Sequence, residues 1–193
     1  MKKLNFLFVL MLIISGTAFS QGKYKVEKGF IEYKMDMMGM SVTTQTYFKD
    51  YGETSAQTAD MFGQKTRTLL TKDYVYSLDM GSKTGTKMAV DGETGAVDNI
   101  DYDNIPQEMK DKYHIVESGK GTVLGKECKI IEMESDGAKN RLWVWNNIPL
   151  KMVVEKGGMQ MTMEATKVET NPSFPAGIFE VPADFTITDA GNE

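Results

Sequence analysis

His114 and Cys128 are the single histidine and the single cysteine of this 193-residue chain. A thiol and an imidazole make a nucleophile and base only when the fold brings them within hydrogen-bond reach, and in sequence they lie apart. Cys128 sits beside Ile130 and Ile131 in an apolar pattern, where a buried, inert thiol is the ordinary outcome. Neither a Gly-x-Ser-x-Gly elbow nor a His-Glu-x-x-His helix occurs. Gly81-Ser82-Lys83-Thr84-Gly85-Thr86-Lys87-Met88 has the glycines of a phosphate loop, but Thr86 separates the second from Lys87, so a turn is expected. Asp98, Asp101 and Asp103 could offer oxygens to calcium. They lack the glycine turn and distal glutamate of an EF-hand loop, and a solvated acidic loop is expected instead. The chain therefore reads as non-catalytic, with no cofactor.

Methionine is the chemistry that stands out. Of 15 in the chain, seven lie in two short runs: Met35, Met37, Met38 and Met40, then Met159, Met161 and Met163. Alternate residues of a strand share a face, so the second run forms a stripe about 13 Å long at ~3.3 Å per residue, and Met35 and Met37 share a face with Tyr33. Thioethers adapt to irregular gaps, which suits ordinary core filling; the same adaptability suits the lining of a variable apolar ligand. A soft-metal site for Cu(I) is the third reading. Trp143 and Trp145 share one face of a strand whose other face carries Leu142 and Val144, so that strand is apolar on both sides and must be covered twice. Its tryptophans are either structural anchors or part of the same lining. With Met109, the candidate ligand-binding set is Tyr33, Met35, Met37, Met109, Trp143, Trp145, Met159, Met161 and Met163.

Strands must position these side chains. Period-two alternation recurs from Phe30 to Glu169, and glycine, aspartate and asparagine divide it into strand-length pieces. Ile31 to Met37 puts apolar residues at odd positions and charges at even ones. Further strands are expected at Met40–Lys49, Thr54–Met61, Lys65–Thr71, Tyr74–Asp79, Thr86–Val90, Gly125–Glu134, Lys139–Trp145, Leu150–Lys156 and Met159–Glu169, with Gly157-Gly158 a hairpin turn. One helix is expected after the acidic stretch: Asn104 as cap, Pro106 in the first turn, Gln107 three residues after the cap, and Ile105, Met109 and Tyr113 as an apolar stripe laid on the sheet. Pro172, Pro175 and Pro182 exclude regular structure from most of the tail, whose Phe174, Ile178, Phe179, Val181 and Phe185 can pin it to the sheet. A closed barrel, a sandwich and an open curved sheet all fit nine or ten strands and one helix.

Residues 1–20 read as a cleavable signal peptide: Lys2 and Lys3, an apolar run from Leu4 to Ser15, and small residues at Ala18 and Ser20 before a cut near Gln21. The apolar run is shorter than the ~20 residues that span a bilayer. Residues 21–193 then form a single domain, exported and soluble, in the periplasm or outside the cell, with no integral membrane segment after cleavage. Cleavage removes two lysines and no acid, taking the formal charge from −5 to −7. So acidic a chain, with no basic cluster, makes a poor partner for nucleic acid or an anionic membrane.

The C-terminal third carries an ordered series: Leu124-Gly125-Lys126-Glu127-Cys128-Lys129, Leu142-Trp143-Val144-Trp145, Ile148-Pro149-Leu150-Lys151-Met152 and Phe179-Glu180-Val181-Pro182-Ala183-Asp184-Phe185. Tyr47-Phe48-Lys49-Asp50 and Tyr74-Val75-Tyr76-Ser77-Leu78-Asp79 extend it forward. The series resembles secreted domain-of-unknown-function proteins related to the LolA-like superfamily, the periplasmic lipoprotein carriers and their relatives. The resemblance implies a mainly β fold, a strongly curved antiparallel half-barrel with one or two short helices over its concave apolar face. It implies carriage of acyl chains or sensing of envelope lipids or proteins, with enzymatic work on a pigment intermediate in one branch, so fold alone does not set the task. The expectation is a non-catalytic binder of an apolar or acyl-chain ligand between sheet and helix. The alternatives are a structural or envelope-interaction module whose concavity is filled by its own side chains, and a methionine-rich Cu(I)-binding protein.

Overall fold

The computed structural model describes residues 23–37, 39–90 and 100–190. The expected signal segment, Met38 and Asp98 lie outside these residues. Six strands follow one another in the front half: β1 (Gly29–Met37), β2 (Met40–Lys49), β3 (Thr54–Met61), β4 (Gln64–Leu70), β5 (Tyr74–Asp79) and β6 (Thr84–Ala89). Helix α1 (Gln107–Tyr113) precedes β7 (Val116–Val123), β8 (Lys126–Ser135), β9 (Ala138–Trp145), β10 (Ile148–Lys156) and β11 (Met159–Thr170), and β12 (Thr186–Asp189) is the last strand among the described residues.

All twelve strands belong to one curved sheet that does not close, in the order β12-β6-β5-β4-β3-β2-β1-β11-β10-β9-β8-β7. The two meanders, β1 to β6 and β7 to β11, join where β1 pairs antiparallel with β11. Only β12 breaks the pattern, running parallel to β6. Tight turns hold the hairpins in register. Gly157 and Gly158 adopt φ 58° and 79°, and Asn146 and Asn147 φ 49° and 63°. A two-residue hairpin that matches strand twist needs positive φ at both positions, which glycine and asparagine tolerate.

Pairing partners share a face, and the register therefore shows which side each core occupies. Val42, Met35, Met163, Met152, Leu142 and Ile131 form one apolar row across six strands, from β2 to β8. Tyr24 and Ile115 belong to the core around this row, with Val26, Tyr102, Ile105, Met109 and Tyr113 packed against it. We call this side the helix face. In the front half the opposite side is covered: Ala56, Leu69 and Leu78 meet Phe174, Ile178, Phe179 and Val181 of the tail, and Tyr47, Ala56 and Leu69 are successive register partners. The tail does pin itself to the sheet as expected. One sheet thus has two cores, on opposite faces of its two halves.

Three local expectations need correction. Helix α1 begins at Gln107 with Pro106 at the N-cap and no side-chain cap. Asn104 instead gives its side-chain amide to the Asp101 carboxylate at 2.7 Å, because Asp101 closes an Asx turn that also takes the Asp103 amide. β7 and β12 were not expected as strands. Both are edges, where half the backbone pairing and much of the side-chain burial that mark an inner strand are missing.

Trp143 covers Gly121 of edge strand β7. A Cβ added to Gly121 would stand 2.7 Å from the Trp143 ring nitrogen and 2.8 Å from Cδ1. Gly121→Ala should displace the indole, cost about 1–3 kcal/mol as overpacking does, and shift tryptophan emission to the red; unchanged emission and stability would show that the ring is not held there. Among the described residues no helix is long and apolar enough to cross a membrane.

Candidate ligand-binding face

The two methionine runs meet. Met163 on β11 pairs with Met35 on β1 and with Met152 on β10. Met161 pairs with Val154, and Met37 occupies the register position opposite it. Met161 and Met163 are 6% and 8% exposed, whereas Met159 and Met40, on the same face at the hairpin end of the sheet, are 45% and 42% exposed. Met159, Met161 and Met163 therefore make a thioether wall on one face of β11 that passes from a solvent-facing rim to a buried floor. Met152, outside the candidate set, joins the stripe through its pairing with Met163, a cross-strand contact that alternation within one strand does not announce.

Tyr33 closes one side of this wall. Its register partner on β11 is the small Ala165, so the ring can cross that strand, and its hydroxyl donates to the Pro149 carbonyl on β10 at 3.0 Å. Burial, with Tyr24 nearby, pushes the phenol pKa well above its ordinary value. The hydroxyl thus stays protonated and remains a donor. Met109 packs on the core from α1, beside Ile105 and Tyr113.

The tryptophans point elsewhere. Trp143 is in register with Ile130 and Lys151, one residue out of phase with the Met152–Leu142 row, and Trp145 shares its side. Lys126 lies over the Trp145 ring at 4.0 Å and Lys151 over Trp143 at 5.4 Å, so both indoles face the side away from the methionines under lysine side chains. Of the candidate set, the structure gathers Tyr33, Met35, Met161 and Met163, puts Met159 on the rim and Met109 on α1, and sets Trp143 and Trp145 one residue out of phase with the methionine row, packed against the same core from its other side. A depression of about 450 Å³ beside Trp143 is lined by Glu132, Arg141 and Glu155 among others, and its charged walls do not suit an apolar chain.

Polar ties hold the segment before α1 against β8 and the turn between β9 and β10. Lys129 donates to the Tyr102 carbonyl at 2.7 Å and pairs with Asp103, which also pairs with Lys25. Asn147 donates to the Lys23 and Ile100 carbonyls at 2.7 and 3.1 Å and accepts from the Tyr102 amide at 2.9 Å.

Toward the front half the same face turns polar. Thr44 and Thr46 on β2 pair with Tyr33 and Ile31. They are 6% and 4% exposed, and neither hydroxyl has a hydrogen-bond partner among the described residues. Sequence reading passed over them because Thr43-Thr44-Gln45-Thr46 has no apolar member to mark a buried side.

Cys128 is buried, its thiol donates to the Lys126 carbonyl at 3.4 Å, and burial pushes its pKa up, the reverse of what an activated thiol needs. His114 is the exposed left-handed residue ending α1. The loop at Gly81 is a turn: Asp79 accepts from the Gly81 and Ser82 amides at 2.8 and 3.1 Å, and these bonds hold its carboxyl below the usual range. Among the described residues no three of the His, Cys, Asp and Glu side chains are placed to hold a metal ion.

No family model matches this chain, and no curated protein matches it in sequence. Solved structures do match in shape. An uncharacterized conserved protein from Thermus thermophilus superposes with a TM-score of 0.58 at 9% identity, over 86% of this chain and 94% of that one. A chain of the Pseudomonas aeruginosa MucA/MucB complex gives 0.55 at 10% identity, over 83% of this chain and 58% of that one. PNGF-II gives 0.51 at 14% identity, over 85% of this chain and 32% of that one. This chain thus spans little more than half of the second match and a third of the last. At such identities the likeness speaks for the fold alone, and that fold is the strongly curved, open antiparallel sheet that the sequence resemblance implies.

Proposed function

We propose that this protein is an exported, non-catalytic binder of an apolar or acyl chain, held along the methionine wall of the helix face. The observation that supports the reading is the stripe Met159, Met161 and Met163, which passes on one face of β11 from an exposed rim to a buried floor. Without ligand the thioethers fill the floor themselves. Unbranched and able to change rotamer, they can part for a chain without moving the backbone. Burying hydrocarbon at about 25 cal/mol per Å² then provides enough drive for micromolar binding of a 14- to 18-carbon chain after ordering costs.

The test begins with protein purified from the envelope fraction, whose intact mass should correspond to residues 21–193. Native mass spectrometry should show an added lipid mass. Palmitate at 100-fold its Kd should stabilise the fold by about 2.7 kcal/mol, and so raise Tm by roughly 5–10 °C. Absence of both a bound lipid and any thermal shift across acyl probes would overturn the reading and leave a module with a filled core. Competition with a Cu(I) chelator, lost when Met161 and Met163 become leucine, would put copper handling in its place.

A further inference from the structure

Thr46 begins a row that crosses the front half of the helix face. Its register partners are Gln57 on β3, then Thr68, Ser77 and Thr86 on β4, β5 and β6. At ~4.8 Å between strands this row of hydroxyls and one amide is about 19 Å long. Exposure rises along it, from the buried Thr46 through the half-buried Gln57 and Thr68 to the exposed Ser77 and Thr86. No lysine or arginine shares the row. Lys65, Arg67 and Lys87 are in register with Asp60, Leu78 and Tyr76, one residue out of phase, and belong to the other face. The nearest carboxylate on this side, Asp79, is already engaged with Gly81, Ser82 and Gln64.

Two facts point to a ligand group here. A buried hydroxyl without a partner is costly, and Thr44 and Thr46 present two on adjacent register rows. Both rows border the methionine wall through Tyr33 and Ile31. Hydroxyls donate and accept, so they complement another hydroxyl-bearing group. A phosphate or carboxylate would find no cation on this row, in a chain already acidic. We propose that Thr44 and Thr46 are a subsite for the uncharged, hydroxyl-bearing headgroup of an amphiphile whose hydrocarbon lies on the methionine wall. The inference rests on the acyl-binding reading and adds the headgroup class to it.

Calorimetric titration can separate the two. The probes are 1-lauroylglycerol, laurate and lauroyl lysophosphatidylglycerol, each below its micellar concentration, and glycerol alone. The lauroylglycerol should bind at least tenfold tighter than either anionic probe, and glycerol should not bind measurably. Thr44→Val and Thr46→Val should each weaken lauroylglycerol about tenfold, the equivalent of ~1.4 kcal/mol, and leave laurate unchanged. Each should also raise Tm of the ligand-free protein by about 2–4 °C, because an unpaired buried hydroxyl has gone. Equal affinity for the three lipids, or valine variants that bind lauroylglycerol as the parent does, would overturn the headgroup subsite and spare the acyl reading. Glycerol binding as tight as lauroylglycerol would overturn the amphiphile. Binding of no probe would overturn both.

Discussion

Asn147→Ala should lower the unfolding free energy by about 3–4 kcal/mol in urea titration, a large share of an ordinary domain's stability. Its side chain is the common partner of three backbone groups: the Lys23 and Ile100 carbonyls and the Tyr102 amide. At about 1 kcal/mol for each bond, and more where a partner is left buried and unpaired, their loss accounts for most of the effect. The rest is conformational, since Asn147 has φ 63° and alanine in the left-handed region costs roughly 1–2 kcal/mol. Asn147→Gly isolates the two parts, because glycine meets the backbone demand and makes none of the side-chain bonds; it should recover about 1 kcal/mol relative to alanine. Both variants should speed hydrogen exchange at Tyr102, whose amide is released. Alanine and glycine variants within 0.5 kcal/mol of the parent would show that the turn does not anchor the segment before α1. That segment carries Ile105 and leads to Met109, so loosening it also uncovers part of the helix face.

Hairpins were the legible part of this fold. β2, β3 and β5 fall at the bounds that alternation predicts, because short turns of glycine, asparagine and aspartate mark both ends and a buried side enforces period two. β7 was illegible for the opposite reason: Glu117-Ser118-Gly119-Lys120-Gly121 offers almost no apolar side, and the strand exists because β8 supplies its backbone partners. β12 likewise depends on β6, a partner about 100 residues earlier that no local pattern announces. The candidate site shows a deeper limit. Alternation says which residues share a face, as it did for Met159, Met161 and Met163 and for Trp143 and Trp145. It does not say what covers that face. In this sheet the front half buries one side under the tail and the back half the other under α1, so strands with similar patterns point their apolar residues in opposite directions. The tryptophans read either as structural anchors or as part of the methionine lining, and register with Lys151 sets Trp143 one residue out of phase with the methionine row. Asn104 reads as a helix cap by type and spacing, yet Asp101 competes for its amide through a shorter local turn.

Met161→Asp should abolish acyl-chain binding and destabilise the protein by about 3–5 kcal/mol. The side chain is 6% exposed between Met159 and Met163 on β11, opposite Val154. A carboxylate there has no cation on its row and must either remain charged in an apolar floor or take up a proton, and both are costly. Met161→Leu keeps volume and apolarity and should cost under 1.5 kcal/mol while retaining binding. Loss of binding in an aspartate variant that is barely folded would say little about the wall, so the decisive comparison lies at the rim. Met40 and Met159 are nearly half exposed, and water solvates a carboxylate at either place. Met40→Asp and Met159→Asp should therefore stay within about 0.5 kcal/mol of the parent in stability. If the chain enters across this rim, each should still weaken binding of palmitate by roughly tenfold, since part of the buried hydrocarbon would face a hydrated charge. Fluorescence titration with a fatty-acid probe reads that loss directly, and circular dichroism shows whether the fold is intact. Rim variants with parental affinity, beside a destabilised Met161→Asp, would make the methionines a core and nothing more.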